Sequence, residues 1–260
     1  MSTLPRSEVF GLGITTGSFK DHVDAVIEWG RQHRSSYVCC VNVHMCMEAQ
    51  ANRAFAAVIN GADLATADGM PILNSLNRFH RLGQERVAGN DLMPAVMAAA
   101  EQHGLSIFLH GGQQVVLDKI LERAAVEHPR LRITGTWSPP FREATVEERT
   151  AEVERIAQSG AHLVLVSLGC PRQEKWMAAM KGKVPAVMLG VGGAFLLYAR
   201  VDSRAPLWMR QASLEWLYRL ALEPGRLWKR YLFTNAAFVW LWIKQAFGQK
   251  VQRTNRLKTR

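Results

Sequence analysis

The chain has 260 residues, 48% hydrophobic and 21% charged, a composition that suits a globular core and excludes a disordered or fibrous chain. Its net charge of +10 is localised: of 32 Lys and Arg and 22 Asp and Glu, twelve basic and two acidic residues lie from Arg204 to Arg260, so everything before is balanced. The four cysteines form no CxxC pair and have no histidine at zinc-ligand spacing, and MSTLPRSEVF lacks the apolar region of a secretory signal, so a reduced, cytoplasmic protein without a metal site is expected.

Short β-branched or apolar runs alternate with helical patterns through the first two hundred residues. In chain order they predict a strand at Glu8–Thr15, a helix at Phe19–Gln32, a strand at Ser36–Val43, a helix at Met45–Ile59 and a strand at Leu64–Ala67. A helix at Leu92–His103 follows, then a strand at Ser106–His110, a helix at Gln114–Glu127 and a strand at Arg132–Thr136. After the break around Pro139-Pro140 come a helix at Val146–Gln158, a strand at His162–Leu168, a helix at Arg172–Met180 and a strand at Ala186–Leu189. Such alternation predicts an α/β fold, a largely parallel Rossmann-like sheet with flanking helices, filling residues 1–193.

Beyond Gly193 the grammar changes. Residues 194–260 are expected to form a basic, Trp-rich helical C-terminal appendage with helices at Leu207–Leu222 and Arg226–Phe247, separated at Pro224-Gly225; five of the eight tryptophans lie here. The uncharged run Tyr231–Ile243 is 13 residues long, too short for a spanning helix of about 20. Tryptophan with Lys and Arg suits a peripheral membrane surface, and the charge alone also suits nucleic acid. The same apolar surface would equally bury in a neighbouring subunit, which leaves a homo-oligomer open.

Several loops put glycine with a polar residue directly after a strand: Asn42 after VCCV, Asp68-Gly69 after LATA, Gly111-Gly112 after IFLH, Gly169-Cys170-Pro171 leading to Gln173, and the glycine-only Gly190-Val191-Gly192-Gly193. In a parallel sheet these loops share one edge, where helix N-termini offer N–H groups to an anion such as a diphosphate, so a nucleotide or nucleotide-sugar is the natural guest. Each loop alone is equally simple turn chemistry, and Asp68 and Asn42 are equally helix caps. GLGITTG is one residue too long for GxGxxG, and neither GxxxxGK[ST], HExxH, GxSxG nor Asp-x-Asp occurs. His44 and His110 read as packing residues. What remains easiest to build is a metal-independent transfer with one carboxylate base and protein groups holding a leaving diphosphate.

The ordered segments ADLATADGMPIL, ERVAGNDLMP, FLHGG, LVSLGCPRQEKWM, GVGGAF and RAPLWMRQASLEWLYRLALEPGRLWKRY resemble the WecG/TagA/CpsF family of bacterial glycosyltransferases from about Val9 to Phe247. The resemblance implies an inverting enzyme, without cofactor or metal, moving a sugar from a UDP-sugar to a polyprenyl-diphosphate-linked sugar at the cytoplasmic face of the membrane, in cell-surface or exopolysaccharide assembly. It implies Asp68 as general base, Asn42 and Gln173 as substrate-orienting groups, and Arg86 of the ERVxGxDL motif as a site residue. Gly69, Gly111, Gly112, Gly169 and Gly192 belong to the matching loops. Arg219, Arg226 and Arg230 of the tail would neutralise UDP or the lipid diphosphate, since guanidinium binds phosphate oxygens in pairs. Cys40 stands where relatives often carry threonine, and VNVHMCMEAQ departs from the family's usual continuation, so a different donor-sugar pocket is expected. A nucleic-acid-binding protein using the basic tail is the alternative; it leaves Asp68 and the glycine loops without a role.

Overall fold

The structure, a computed structural model, describes residues 4–140, 142, 144–212, 214–222, 224, 225, 228 and 234–247, the side chains of 210, 211 and 219 excepted. It opens with β1 (Arg6–Val9) and β2 (Leu12–Thr15), paired antiparallel. The sequence predicts one strand over this stretch. Phe10 and Gly11 both take positive φ, 55° and 75°, which is the two-residue hairpin turn matched to strand twist, so the chain folds back on itself.

After α1 (Phe19–Arg31), capped reciprocally by Ser18 and Asp21, six strands form a parallel sheet: β3 (Ser36–Val41), β4 (Leu64–Ala67), β5 (Ser106–Gly111), β6 (Arg132–Trp137), β7 (Leu163–Ser167) and β8 (Val187–Gly190). Their order across the sheet is β4-β3-β8-β7-β5-β6, every neighbouring pair parallel. The α/β expectation therefore holds, and its physical basis is visible in the strands: β3, β4, β5 and β8 are buried at every residue, as a sheet covered on both faces demands.

The covering helices divide the core into two clusters, and successive strand residues feed them alternately. Val38, Cys40, Leu163, Leu165, Val187 and Leu189 face α1, α5 (Gly89–Gln102), α6 (Gln114–Glu127) and α9 (Ala194–Tyr198). Cys39, Val41, Val164, Val166 and Met188 face the hairpin and the helices α2 (Val43–Ala51), α3 (Arg53–Asn60), α4 (Met70–His80), α7 (Val146–Gln158) and α8 (Arg172–Met180). The single helix expected at Met45–Ile59 is two, because Asn52 leaves helical geometry and its side chain accepts the Ala54 and Phe55 N–H groups. The helix that the sequence implies after Asp68, without bounds, is α4, whose N-terminal Pro71 occupies a first-turn position where proline costs no hydrogen bond.

The segment expected to begin an appendage at 194 starts with α9, whose Ala194, Phe195 and Tyr198 lie in the second core cluster. The chain then continues into α10 (Leu207–Gln211), α11 (Glu215–Leu222) and a helix at residues 234–247. That last helix returns to the beginning of the molecule: Phe238 meets Phe10 edge-on at 5.1 Å, Trp242 meets Phe79 at 5.7 Å, and the Phe10 N–H donates to Gln245 Oε1. Among the described residues no helix is long and apolar enough to cross a membrane.

Candidate active site

A cavity of about 440 Å³ lies at the carboxyl ends of β4, β3, β8 and β7, where open parallel sheets place ligands. Asn42 follows β3, Asp68 and Gly69 follow β4, Gly169, Cys170 and Gln173 follow β7, and Gly190 to Gly193 close β8; all line it. Glu215 and Trp216 of α11 and Thr234 and Asn235 of the last described helix line it too.

Asp68 is fixed through its backbone. Its N–H donates to the Val41 and Thr66 carbonyls, and its own carbonyl accepts Arg86 Nε–H at 2.7 Å. The N-cap of α4 is Gly69, with no side-chain capping bond, so Asp68 does not serve as the helix cap that its position in sequence also allowed. Asn42 does cap: its Oδ1 accepts the Met45 N–H at 3.1 Å while the residue lines the cavity. Arg86 is brought in by the segment before α5, which is stitched to β4 by Val87 N–H to the Ala67 carbonyl and by Thr66 Oγ–H to the Val87 carbonyl. Its Nη2 reaches Glu215 Oε2 at 3.1 Å, both side chains being mostly buried. Among the described residues Arg86 is the cation of the cavity wall, and its partner comes from the tail.

Gln173 enters on the first turn of α8 and is 5% exposed. It fits because position 190 is glycine: a Cβ there would stand 2.6 Å from Met177 Cε and 3.1 Å from Gln173 Nε2. Its Nε2–H donates to Glu174 Oε1 at 2.7 Å, and burial pushes the Glu174 carboxyl up to about 7. The same burial drives the Cys39 and Cys40 thiols upward and so keeps them protonated.

Asp68, Asn42, Gly69, Arg86, Gly169, Gln173 and Gly192 are thus brought together. Gly111 and Gly112 are not among the lining residues; Gly111 has φ 100°, and a Cβ on it would meet the Ser167 carbonyl oxygen at 2.3 Å, so glycine serves close strand packing there. Arg226 and Arg230, and the side chain of Arg219, lie outside the described residues. Sequence reasoning did not single out Glu215, Asn90 or Asn235, although Glu215 and Asn90 stand inside quoted segments; only the fold shows that they reach the cavity. His110 packs: it is fully buried, stacks on Trp176 at 4.2 Å and is lowered to about 3 by burial, hence neutral. Its approach to Glu152 at 3.3 Å lacks hydrogen-bond geometry, whereas Trp176 Nε1–H donates to that carboxyl at 2.8 Å. Among the described residues no three His, Cys, Asp or Glu side chains gather around a common point that would hold a metal ion.

The family model described as glycosyl transferase WecG/TagA/CpsF matches residues 7–252. The chain belongs to the WecG/TagA/CpsF family. It is a glycosyltransferase. Two curated relatives carry the name N-acetylglucosaminyldiphosphoundecaprenol N-acetyl-beta-D-mannosaminyltransferase. The one from Bacillus subtilis (strain 168) is 30% identical over 202 residues, 77% of this chain and 77% of the relative. The one from Bacillus spizizenii (strain ATCC 23059 / NRRL B-14472 / W23) is 28% identical over 233 residues, 89% of this chain and 88% of the relative.

Proposed function

We propose that this glycosyltransferase transfers a sugar from a UDP-sugar to a polyprenyl-diphosphate-linked sugar, with inversion and without a metal ion, at the cytoplasmic face of the membrane in cell-surface polysaccharide assembly. The observation that carries the reading is Asp68: a carboxylate at the carboxyl edge of the sheet, lining the cavity and relieved of capping duty by Gly69. Among the described residues the wall holds two carboxylates, Asp68 and Glu215; Glu215 comes from the tail and pairs with Arg86, and the base role is assigned to Asp68 for its place at the end of β4.

In this mechanism Asp68 accepts the proton of the acceptor hydroxyl as that oxygen attacks the anomeric carbon. The bond from that carbon to the UDP oxygen breaks, and UDP leaves with the electron pair. One displacement at the far face inverts the configuration. Asn42 and Gln173 orient the sugars, while Arg86 and the tail arginines Arg219, Arg226 and Arg230 meet the phosphate charge, which makes a metal unnecessary. The relatives' names give N-acetylmannosamine as the sugar and a lipid-diphosphate-linked N-acetylglucosamine as the acceptor to try first, the sugar being supplied as its UDP derivative under this proposal.

The tail supplies the membrane contact. Trp208 on α10 is 62% exposed and Trp240 on the last described helix 69%, and the tail carries the whole excess of positive charge. The test is UDP release with a panel of UDP-sugars and the lipid-linked acceptor in EDTA. Acceptor-dependent, chelator-insensitive release supports the reading; release that needs added divalent ion removes its metal-independent part, and no release with any donor removes the substrate assignment.

A further inference from the structure

Glu174 is a carboxyl where packing alone would favour a leucine or methionine. It follows Gln173 on α8, is 0% exposed, and its Oε2 has no hydrogen-bond partner. Burying such a group is costly. Its Oε1 is joined to the Gln173 amide, and Gln173 is incomplete in the complementary way: Nε2 is committed to Glu174, whereas Oε1 is buried, unpartnered and beside Gly192 in the cavity wall.

We infer that Glu174 is a positioning residue: through its hydrogen bond to Gln173 it decides whether the Gln173 amide offers its oxygen or its NH2 group to the substrate in the cavity. The inference rests on the glycosyltransferase reading of that cavity. An ionised carboxylate only accepts, so it holds Nε2–H and leaves Oε1 as acceptor for a sugar hydroxyl or acetamido N–H, the arrangement present in the structure. A protonated carboxyl donates to Oε1, and a half-turn of the amide then directs NH2 inward. The ionised state is the substrate-binding one.

The surroundings leave this choice to the Glu174 proton itself. The thiol of Cys39 on β3 lies on the same side of the sheet as α8 and stays protonated, that of Cys40 points to the other side and stays protonated too, and interaction with Cys170 favours the ionised carboxylate without outweighing burial. Strand β8 carries no titratable side chain, and α3 carries Arg53 alone, exposed at its start. With burial raising the carboxyl to about 7, both states are populated near neutrality.

The experiment has two arms. In the first, the side-chain amide resonances of Gln173, identified by their loss in Gln173→Glu, are followed by nitrogen-proton NMR across about two pH units on either side of neutrality. They are expected to titrate in the wild type and to be flat in Glu174→Gln, which keeps an acceptor for Nε2 but has no proton to gain. In the second, KM for the UDP-sugar is expected to rise by up to about tenfold per pH unit below the midpoint in the wild type, and to lose that limb in Glu174→Gln. Asp68 protonation acts on kcat instead. Wild-type amide resonances that do not move overturn the inference, whether or not the variant folds, and so does a KM limb that survives in Glu174→Gln. The first arm needs no substrate, so a wild type that transfers no sugar defeats the functional reading while the titration still decides the coupling.

Discussion

At the residue scale, one position carries both a structural and a chemical claim. Asp68 is anchored by its own backbone N–H and carbonyl, and α4 has Gly69 at its N-cap, so the variant of equal size, Asp68→Asn, should keep the fold. Asp68→Asn is expected to lower kcat by roughly 10²- to 10⁴-fold, the range for a positioned general base, with little change in KM or melting temperature. Steady-state UDP release and a thermal melt check both halves. A variant that melts early instead of turning over slowly returns Asp68 to a structural role. The choice of Asp68 was legible in the sequence because a carboxylate followed by glycine and proline ends an apolar run. Its release from capping was not, because that depends on the φ and ψ angles that make Gly69 the cap.

At the scale of elements, α3 and α8 show how local chemistry sets geometry. Asn52 both ends α2 and caps α3 with two hydrogen bonds, so Asn52→Ala should cost about 1 kcal/mol in urea unfolding without altering transfer activity. Helix α8 pays a different cost. The folded pKa of Glu174 lies near 7, above its ordinary 4.5, so between those values the unfolded chain releases a proton that the folded chain keeps. Stability relative to Glu174→Gln should therefore be greatest below pH 4.5, fall as pH rises through that window by up to about 3 kcal/mol, and level off above 7. Chemical denaturation of both proteins at several pH values measures the difference. The hydrophobic periodicity marked α8 correctly, yet it said nothing of which first-turn residues turn inward; the glycine at 190, a neighbour only in space, settles that.

At the scale of the whole molecule, the first hairpin meets the last described helix. Phe10 and Phe79 receive Phe238 and Trp242, Arg86 receives Glu215 in the cavity wall, and Asp91 receives Arg204, so among the described residues the tail is fastened to the core at several places. Vesicle sedimentation is the measurement that belongs here. The full chain is expected to bind anionic vesicles reversibly and to release them with salt, each Lys or Arg near the surface adding about 1 kcal/mol. Replacing the exposed Trp208 and Trp240 by serine should weaken binding while leaving the Phe10–Phe238 contact and the melting temperature nearly unchanged. Equal binding by that variant would move the membrane contact elsewhere.

The sequence by itself determined the parallel α/β sheet, because strands buried on both faces must be continuous apolar runs and crossover helices must separate them. It also determined the family, through motifs kept in order along the chain, and the set of loops that would meet at one edge. It did not determine the hairpin at Phe10-Gly11 or the break at Asn52, since each turns on one residue's backbone angle within an otherwise uniform pattern. Tertiary structure alone decided that Gly111 packs against Ser167 of β7 and Gly112 lies beside Phe195 of α9 instead of lining the cavity, that Glu215 reaches Arg86 across 129 positions of sequence, and that Gln173 leans on a buried acid. These are contacts between distant segments, fixed by the order of strands and the closeness of their packing, and no local pattern of residues encodes that order.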